Sequence, residues 1–131
     1  VRVYIEDTDA GGIVYYANYL RFMERARTEF LRSLGVEQDA LMREHDVAFV
    51  VRSVGVDYNA PARMDDQLNI GVELAELKRA SLVFSQPIHR LGDPSDKPIC
   101  TGRVRIAAIQ CSSGRPVPVP TDIVEALHRE R

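Results

Sequence analysis

Asp7-Thr8-Asp9-Ala10-Gly11-Gly12-Ile13-Val14-Tyr15-Tyr16-Ala17-Asn18-Tyr19, running on through Leu20-Arg21-Phe22-Met23-Glu24-Arg25-Ala26-Arg27, is the stretch around which the chain is organised. Two carboxylates one residue apart open it and a glycine pair bends it. Aromatic and apolar residues at helical spacing then close it. The first turn of a helix carries backbone N–H groups without intrahelical partners at the positive end of the helix dipole. An acidic loop followed by such a turn therefore aims donors at whatever lies beside the carboxylates, an arrangement suited to an acyl oxygen that becomes negative during reaction. The same residues also describe an ordinary polar turn capping a core helix, because Asp and Gly are what turns favour.

Outward from this stretch, Tyr19, Phe22, Met23, Ala26, Phe30 and Leu34 share one face of a helix from Asn18 to Leu34, with Gly35 as its stop and Asn18 as its N-cap, unless the first turn begins at Tyr15 or Tyr16. Arg27 falls inside the apolar arc, with Glu24 at its edge. A buried guanidinium needs a partner, and Glu24 or a loop carboxylate is expected to supply it and so brace the acidic loop. Val36 to His45 reads as a short second helix and Arg2 to Glu6 as a short strand. Ala48 to Ala60 reads as a long strand with Val50, Val54, Val56 and Tyr58 on one face, interrupted by Arg52. Gln67 to Leu74 alternates cleanly, so the two are expected to form a hairpin about the turn at residues 61–66. After a polar turn at Lys78-Arg79-Ala80-Ser81, a strand begins with Leu82 and Phe84. In that strand Pro87 demands an edge, a bulge or a bend. Ile99 to Cys111 is the last strand, and Pro120 to Leu127 a short helix. One long helix against one antiparallel sheet is an α+β layer, here a single domain over 1–131. Such a layer leaves surface uncovered, which favours a homo-oligomer.

The 131 residues are 45% hydrophobic with a net charge of −2 and a pI near 5.9, which gives no electrostatic reason to expect nucleic acid or an anionic membrane as partner. Cys100 and Cys111 share a predicted strand and stand about 36 Å apart if it is extended, so their thiols are expected to be free. Free thiols, no signal peptide and no apolar run of spanning length point to a cytoplasmic protein. There is no Gly-x-Ser-x-Gly elbow, P-loop, dinucleotide fingerprint or His-Glu-x-x-His. His45, His89 and His128 lack ligand spacing, so neither metal nor cofactor is expected. What remains are the carboxylates at the glycine turn. A carboxylate so placed can attack an acyl carbonyl or activate water toward it.

Asp-Thr-Asp-x-x-Gly-x-Val-Tyr at 7–15, Asn18-Tyr19 and Glu24-Arg25-Ala26-Arg27 resemble the signature of the hotdog-fold acyl-CoA thioesterases. The subgroup most similar is that associated with the bacterial Tol-Pal envelope system, with the 4-hydroxybenzoyl-CoA thioesterases as near relatives. Phe49-Val50-Val51-Arg52, Tyr58-x-x-Pro61-Ala62-Arg63-x-Asp65-Asp66-x-Leu68 and Ser81-Leu82-Val83-Phe84 follow in the family's order. The resemblance implies a hotdog fold, a long central helix wrapped by an antiparallel sheet, in dimers with interfacial sites that often pair into tetramers. It implies an acyl-CoA substrate, coenzyme A being part of the substrate rather than a cofactor, with acyl carrier protein as the other carrier. It assigns catalysis to Asp9, oxyanion binding to the Tyr16 backbone N–H, close approach of the acyl group to Gly12, and the coenzyme A phosphates to Lys78, Arg79 and Ser81. Arg63 is a weaker candidate for the phosphates. Asp7, Glu24 and Arg27 are then supporting residues. The Tol-Pal subgroup usually has histidine where this chain has Tyr16, so Asp9 acts without an imidazole. Hydration of an acyl thioester, or a non-catalytic acyl-carrier binder or Tol-Pal scaffold, are the competing readings.

Overall fold

The computed structural model describes residues 1–130. A single 3-10 turn at Ile5–Asp7 leads into the acidic loop. Helix α1 spans Asn18–Ser33, α2 Gln38–His45 and α3 Thr121–Glu130; strand β1 spans Val47–Tyr58, β2 Leu68–Ile70, β3 Glu73–Leu77, β4 Ser81–Arg90 and β5 Cys100–Gln110. The sheet is antiparallel in the order β1-β5-β4, and β2 and β3 lie end to end along the far side of β4. Helix α1 packs its predicted face on this sheet. Tyr19, Phe22 and Met23 meet Leu68, Ile88 and Cys100 at one end, and Leu31 meets Leu82, Phe84 and Ile106 at the other, where α3 adds Ile123 and Leu127. Gly35 ends α1 as predicted. Its φ of +89° lets the Val36 and Gly35 amides donate back to the carbonyls of Leu31 and Arg32 at 2.9 and 3.0 Å, the glycine-terminated end that a Cβ would strain.

Three expectations are corrected. Arg2 to Glu6 is not a strand: Arg2 only bridges Gln67, and the Asp7 carboxylate accepts the Tyr4 amide at 2.9 Å, which curls the segment into a turn. Strands β1 and β2 are not a hairpin. Beyond Tyr58 the chain crosses the end of the sheet, with the Asn59 and Ala60 amides donating to the Ile99 carbonyl, and delivers Leu68 opposite Arg90 instead. The single strand expected from Gln67 to Leu74 is two. The Pro87 carbonyl accepts the Gly71 amide at 2.8 Å, but proline has no N–H to return on that side, so the ladder breaks there. Pro87 thus stands in an interior strand, and the interruption falls on its neighbour.

Arg52 marks a bulge in β1: Val51 opposes Ile106 and Ser53 opposes Arg105, leaving Arg52 as the extra residue. The bulge reverses the strand's parity. Val50 was expected to share a face with Val54. Instead Val51 and Val54 both face α1, opposite the buried Ile106 and Val104, whereas residues three apart in a regular strand point to opposite faces.

Both thiols are free, Cys100 buried and Cys111 exposed. Burial pushes the Cys100 thiol up to about 11, and the nearby Asp57 carboxylate adds to the shift. At pH 8 about one Cys100 in a thousand is thiolate, and it is shielded as well. Alkylation of the native protein at that pH is therefore expected to modify Cys111 alone, with Cys100 reacting only after denaturation; peptide mass mapping checks this. No helix among the described residues is long and apolar enough to cross a membrane.

Candidate active site

The acidic loop is a tight hairpin. Thr8 bridges Val14, the Asp9 amide donates to the Ile13 carbonyl, and the Gly12 amide donates to the Asp9 carbonyl, both at 3.0 Å. Gly12 has φ +76° and a Cβ there would meet nothing within 4 Å, so glycine is required by the backbone conformation and not by crowding within the chain. The loop is stitched to the segment after β1: the Val14 amide donates to the Ala62 carbonyl at 2.8 Å and the Met64 amide to the Gly12 carbonyl at 3.4 Å. Asp9 lies exposed at the tip. Its Oδ1 accepts the Gly11 amide at 2.9 Å, which orients the carboxylate. Its other oxygen accepts no hydrogen bond from the described residues.

Asp7 does different work. Its carboxylate holds the preceding turn, and its carbonyl accepts both the Tyr15 amide at 3.0 Å and the Asn18 Nδ2 at 2.9 Å. These bonds dock the loop against the start of α1. Asn18, expected as N-cap, is instead the first helical residue. The cap is Ala17, which has no side-chain acceptor to offer. The amides of Asn18, Tyr19 and Leu20 donate to the carbonyls of Tyr15, Tyr16 and Ala17, whereas those of Tyr16 and Ala17, just before the helix, donate to no acceptor among the described residues and stand at the positive end of a 16-residue helix.

A cavity of about 270 Å³ opens beside these amides, lined by Ile13, Val14, Tyr16, Tyr19, Tyr58, Asn59, Ala60 and Pro61. Three tyrosines group along its walls. Tyr58 stands edge-on to Tyr16 with ring centres 6.2 Å apart and tilted against Tyr19 at 5.5 Å. The Tyr58 hydroxyl donates to the Tyr16 carbonyl at 3.2 Å, and the Tyr19 hydroxyl accepts the Ala62 amide at 3.0 Å. Burial raises the pKa of both hydroxyls above the ordinary tyrosine value, which keeps them neutral hydrogen-bonding groups. In sequence Tyr19 and Tyr58 stand out as core and strand residues within the family motifs, with no site role; their grouping depends on the turn of the chain after β1. Behind the cavity Arg90 pairs with Asp66 at 3.0 Å, and Asp66 also accepts the Arg63 amide at 2.8 Å, so the side chain of Arg63 stays exposed near the loop.

The expected partner of Arg27 is corrected. No carboxylate of the described residues pairs with it. It donates to Gln86 Oε1 at 2.9 Å, and Gln86 Nε2 donates to the Met23 carbonyl at 2.9 Å. Glu24 points outward and is exposed, so it acts on Arg27 only through space. Burial depresses the Arg27 pKa and the Glu24 charge partly offsets this. Gln86 was missed, although a polar residue in phase with Leu82, Phe84 and Ile88 was a legible signal.

Lys78, Arg79 and Ser81 form the turn between β3 and β4, with the Lys78 amide donating to the Ser81 carbonyl at 2.9 Å. That turn lies at the far end of the sheet from Tyr16. Ser81 and Ile88, which shares the α1 N-terminal core, are separated by about 23 Å of strand. Within one chain the structure therefore does not bring these residues to Asp9. Ser81 instead accepts from Arg105 at 3.2 Å. Among the described residues no group of His, Cys, Asp and Glu is arranged to hold a metal ion.

The family model described as the thioesterase-like superfamily matches residues 3–127. The chain belongs to that superfamily. It is similar to the acyl-CoA thioesterase YbgC of Haemophilus influenzae, with 41% identity over 128 residues covering 98% of this chain and 91% of that protein. Among solved structures it resembles a probable thioesterase from Bartonella henselae (TM-score 0.82, 35% identity, 92% and 95% of the two chains). It also resembles the gentisyl-coenzyme A thioesterase BH1999 (TM-score 0.85, 27% identity, 97% and 96%). The resemblance read from the Asp7–Arg27 stretch and the hotdog fold it implied are thus borne out. Within this thioesterase family, the chain's signature loop is the segment that carries the free helix amides.

Proposed function

We propose that the chain hydrolyses acyl-CoA thioesters to free acid and thiol, with Asp9 as nucleophile or general base and the α1 N-terminus as oxyanion hole. The observation that carries this is the pair of amides at Tyr16 and Ala17, without an acceptor among the described residues, at the edge of a cavity that Tyr16 lines together with Ile13 and Val14 of the Asp9 loop. A thioester carbonyl directed at these amides gains hydrogen bonds as it becomes an oxyanion, and such a donor contributes roughly 10²–10³ in kcat. The Tyr58 hydroxyl orients the Tyr16–Ala17 peptide from behind. Two of the relatives above, the Haemophilus influenzae protein and BH1999, are named for coenzyme A thioesters, which supports this substrate class.

A homo-oligomer completes the site in this reading. Strand β1 is an edge with exposed Val50, Val51 and Val54, the kind of edge that pairs with another strand. A two-fold pairing of β1 with β1 of a second copy reverses the second sheet end for end. That copy's Lys78–Ser81 turn then comes to the end bearing Tyr16, where coenzyme A phosphates need cations.

Release of free thiol from acetyl-, hexanoyl-, decanoyl- and benzoyl-CoA tests the reading, and no hydrolysis of any of them would remove it. Replacing Lys78 and Arg79 together by alanine is expected to raise KM for acyl-CoA about tenfold, equivalent to ~1.4 kcal/mol, with kcat little changed. The same variant should handle acyl-pantetheine, which lacks the nucleotide phosphates, as wild type does. An equal loss on both substrates would exclude the turn from phosphate binding.

A further inference from the structure

A second cavity, of about 170 Å³, lies between α1 and β1, lined by Leu20, Arg21, Glu24, Arg27, Val51, Val54 and Val104, the residues next along the same helix and strand from those of the first. It continues the first in direction. Leu20 is one helical turn beyond Tyr16, and Val54 lies four residues back along β1 from Tyr58. The Arg52 bulge is what puts both Val51 and Val54 on this face. Leu20, Val51, Val54 and Val104 give it apolar walls, yet it is also lined by Arg27, a residue only 8% exposed, whose guanidinium is bonded to one neutral amide oxygen and to no carboxylate. A buried cation with no carboxylate in contact, only the Glu24 charge acting through space, is a costly feature of such a groove. Arg21, Glu24 and Arg27 together leave the cavity one positive charge.

We infer that the groove takes the acyl group of the substrate and that Arg27 is a specificity-determining residue, reading a carboxylate at the far end of the acyl chain. This rests on the hydrolase reading and names its substrate class. Eleven residues separate Tyr16 from Arg27, about 16 Å along a helix, and a helical side chain leans back toward the N-terminus, leaving a gap of roughly 10 Å. An extended chain advances about 1.2 Å per bond, a third of the span of one backbone residue. Roughly seven to eight bonds, a chain of eight to nine carbons, therefore join a carbonyl at the Tyr16 amide to a carboxylate at Arg27. The substrate is an ω-carboxyl acyl thioester of about eight carbons, its methylenes against Leu20, Val51, Val54 and Val104.

The test compares kcat/KM of the wild-type protein for octanoyl-CoA and for its eight-carbon ω-carboxyl analogue, suberyl-CoA (7-carboxyheptanoyl-CoA). A preference of at least tenfold for the carboxylated thioester is expected. It should persist in Arg27→Lys and vanish in Arg27→Gln, a variant that still hydrogen-bonds Gln86 and whose fold is checked by circular dichroism. Leu20→Trp, at an exposed position that narrows the groove, should also erase the preference. Equal rates for the two thioesters in wild type, or an unchanged ratio in Arg27→Gln, would overturn the inference while leaving the hydrolase reading intact. A change of sedimentation in Arg27→Gln with the acyl ratio unmoved would assign the counter-charge to a second copy and overturn it as well. Failure of wild type on every acyl-CoA would instead remove the hydrolase reading beneath it.

Discussion

Asp9→Asn is expected to lower kcat by about 10²–10⁴-fold while the protein keeps its fold. Asparagine preserves the shape of the side chain and the oxygen that accepts the Gly11 amide, so the loop geometry survives. What it removes is the negative charge and with it both routes to product, since a neutral amide neither attacks a thioester nor takes a proton from water. The loss should appear in kcat with KM nearly unchanged, because Asp9 lies at the exposed loop tip and does not line the cavity beside the free amides. Thiol release under saturating substrate, with circular dichroism as the folding control, measures it. Equal kcat in the two proteins would move catalysis away from Asp9.

Gln86→Leu is expected to be the most destabilising conservative change in the core, at about 3 kcal/mol, the loss of a hydrogen bond to a charge together with a stranded buried cation. Gln86 is fully buried, and it both accepts from Arg27 and donates to the Met23 carbonyl. Leucine fills its volume and satisfies neither group. For a domain of this size the melting temperature should fall by roughly 6–12 °C. Arg27→Met in the same chain should recover most of it, because removing both partners leaves a packed apolar pair where removing one leaves an orphan. Differential scanning calorimetry on the four proteins of the cycle gives the coupling, and additive losses would show that Arg27 and Gln86 act independently.

The contrast between Arg27 and Pro87 shows why the sequence was legible in one place and not in another. Arg27 was flagged because helix periodicity is local: its position within the apolar arc of Tyr19, Phe22 and Met23 follows from spacing alone. Its partner was misassigned to Glu24 or the loop because Gln86 lies 59 residues away, and nothing local ties the two. Pro87 was flagged as a disturbance for the same local reason, but where the disturbance falls depended on which strand lies beside it. The bulge at Arg52 was visible only as an interruption; that it turns Val50 outward and Val51 inward required the register with β5.

Of the candidate site, the chain by itself determined the carboxylates, the glycine turn, the helix that follows and its stop at Gly35, because each is a matter of backbone preference and short-range spacing. Recognition of the thioesterase signature followed from those same residues. Only the tertiary structure decided that Ala17 rather than Asn18 caps α1, that the amides of Tyr16 and Ala17 are free among the described residues, that Tyr58 and Tyr19 wall the adjoining cavity, and that Lys78, Arg79 and Ser81 lie at the opposite end of the sheet. Those outcomes depend on which segments pack together, and long-range pairing is set by the summed burial and hydrogen bonding of the whole chain, which no short stretch carries.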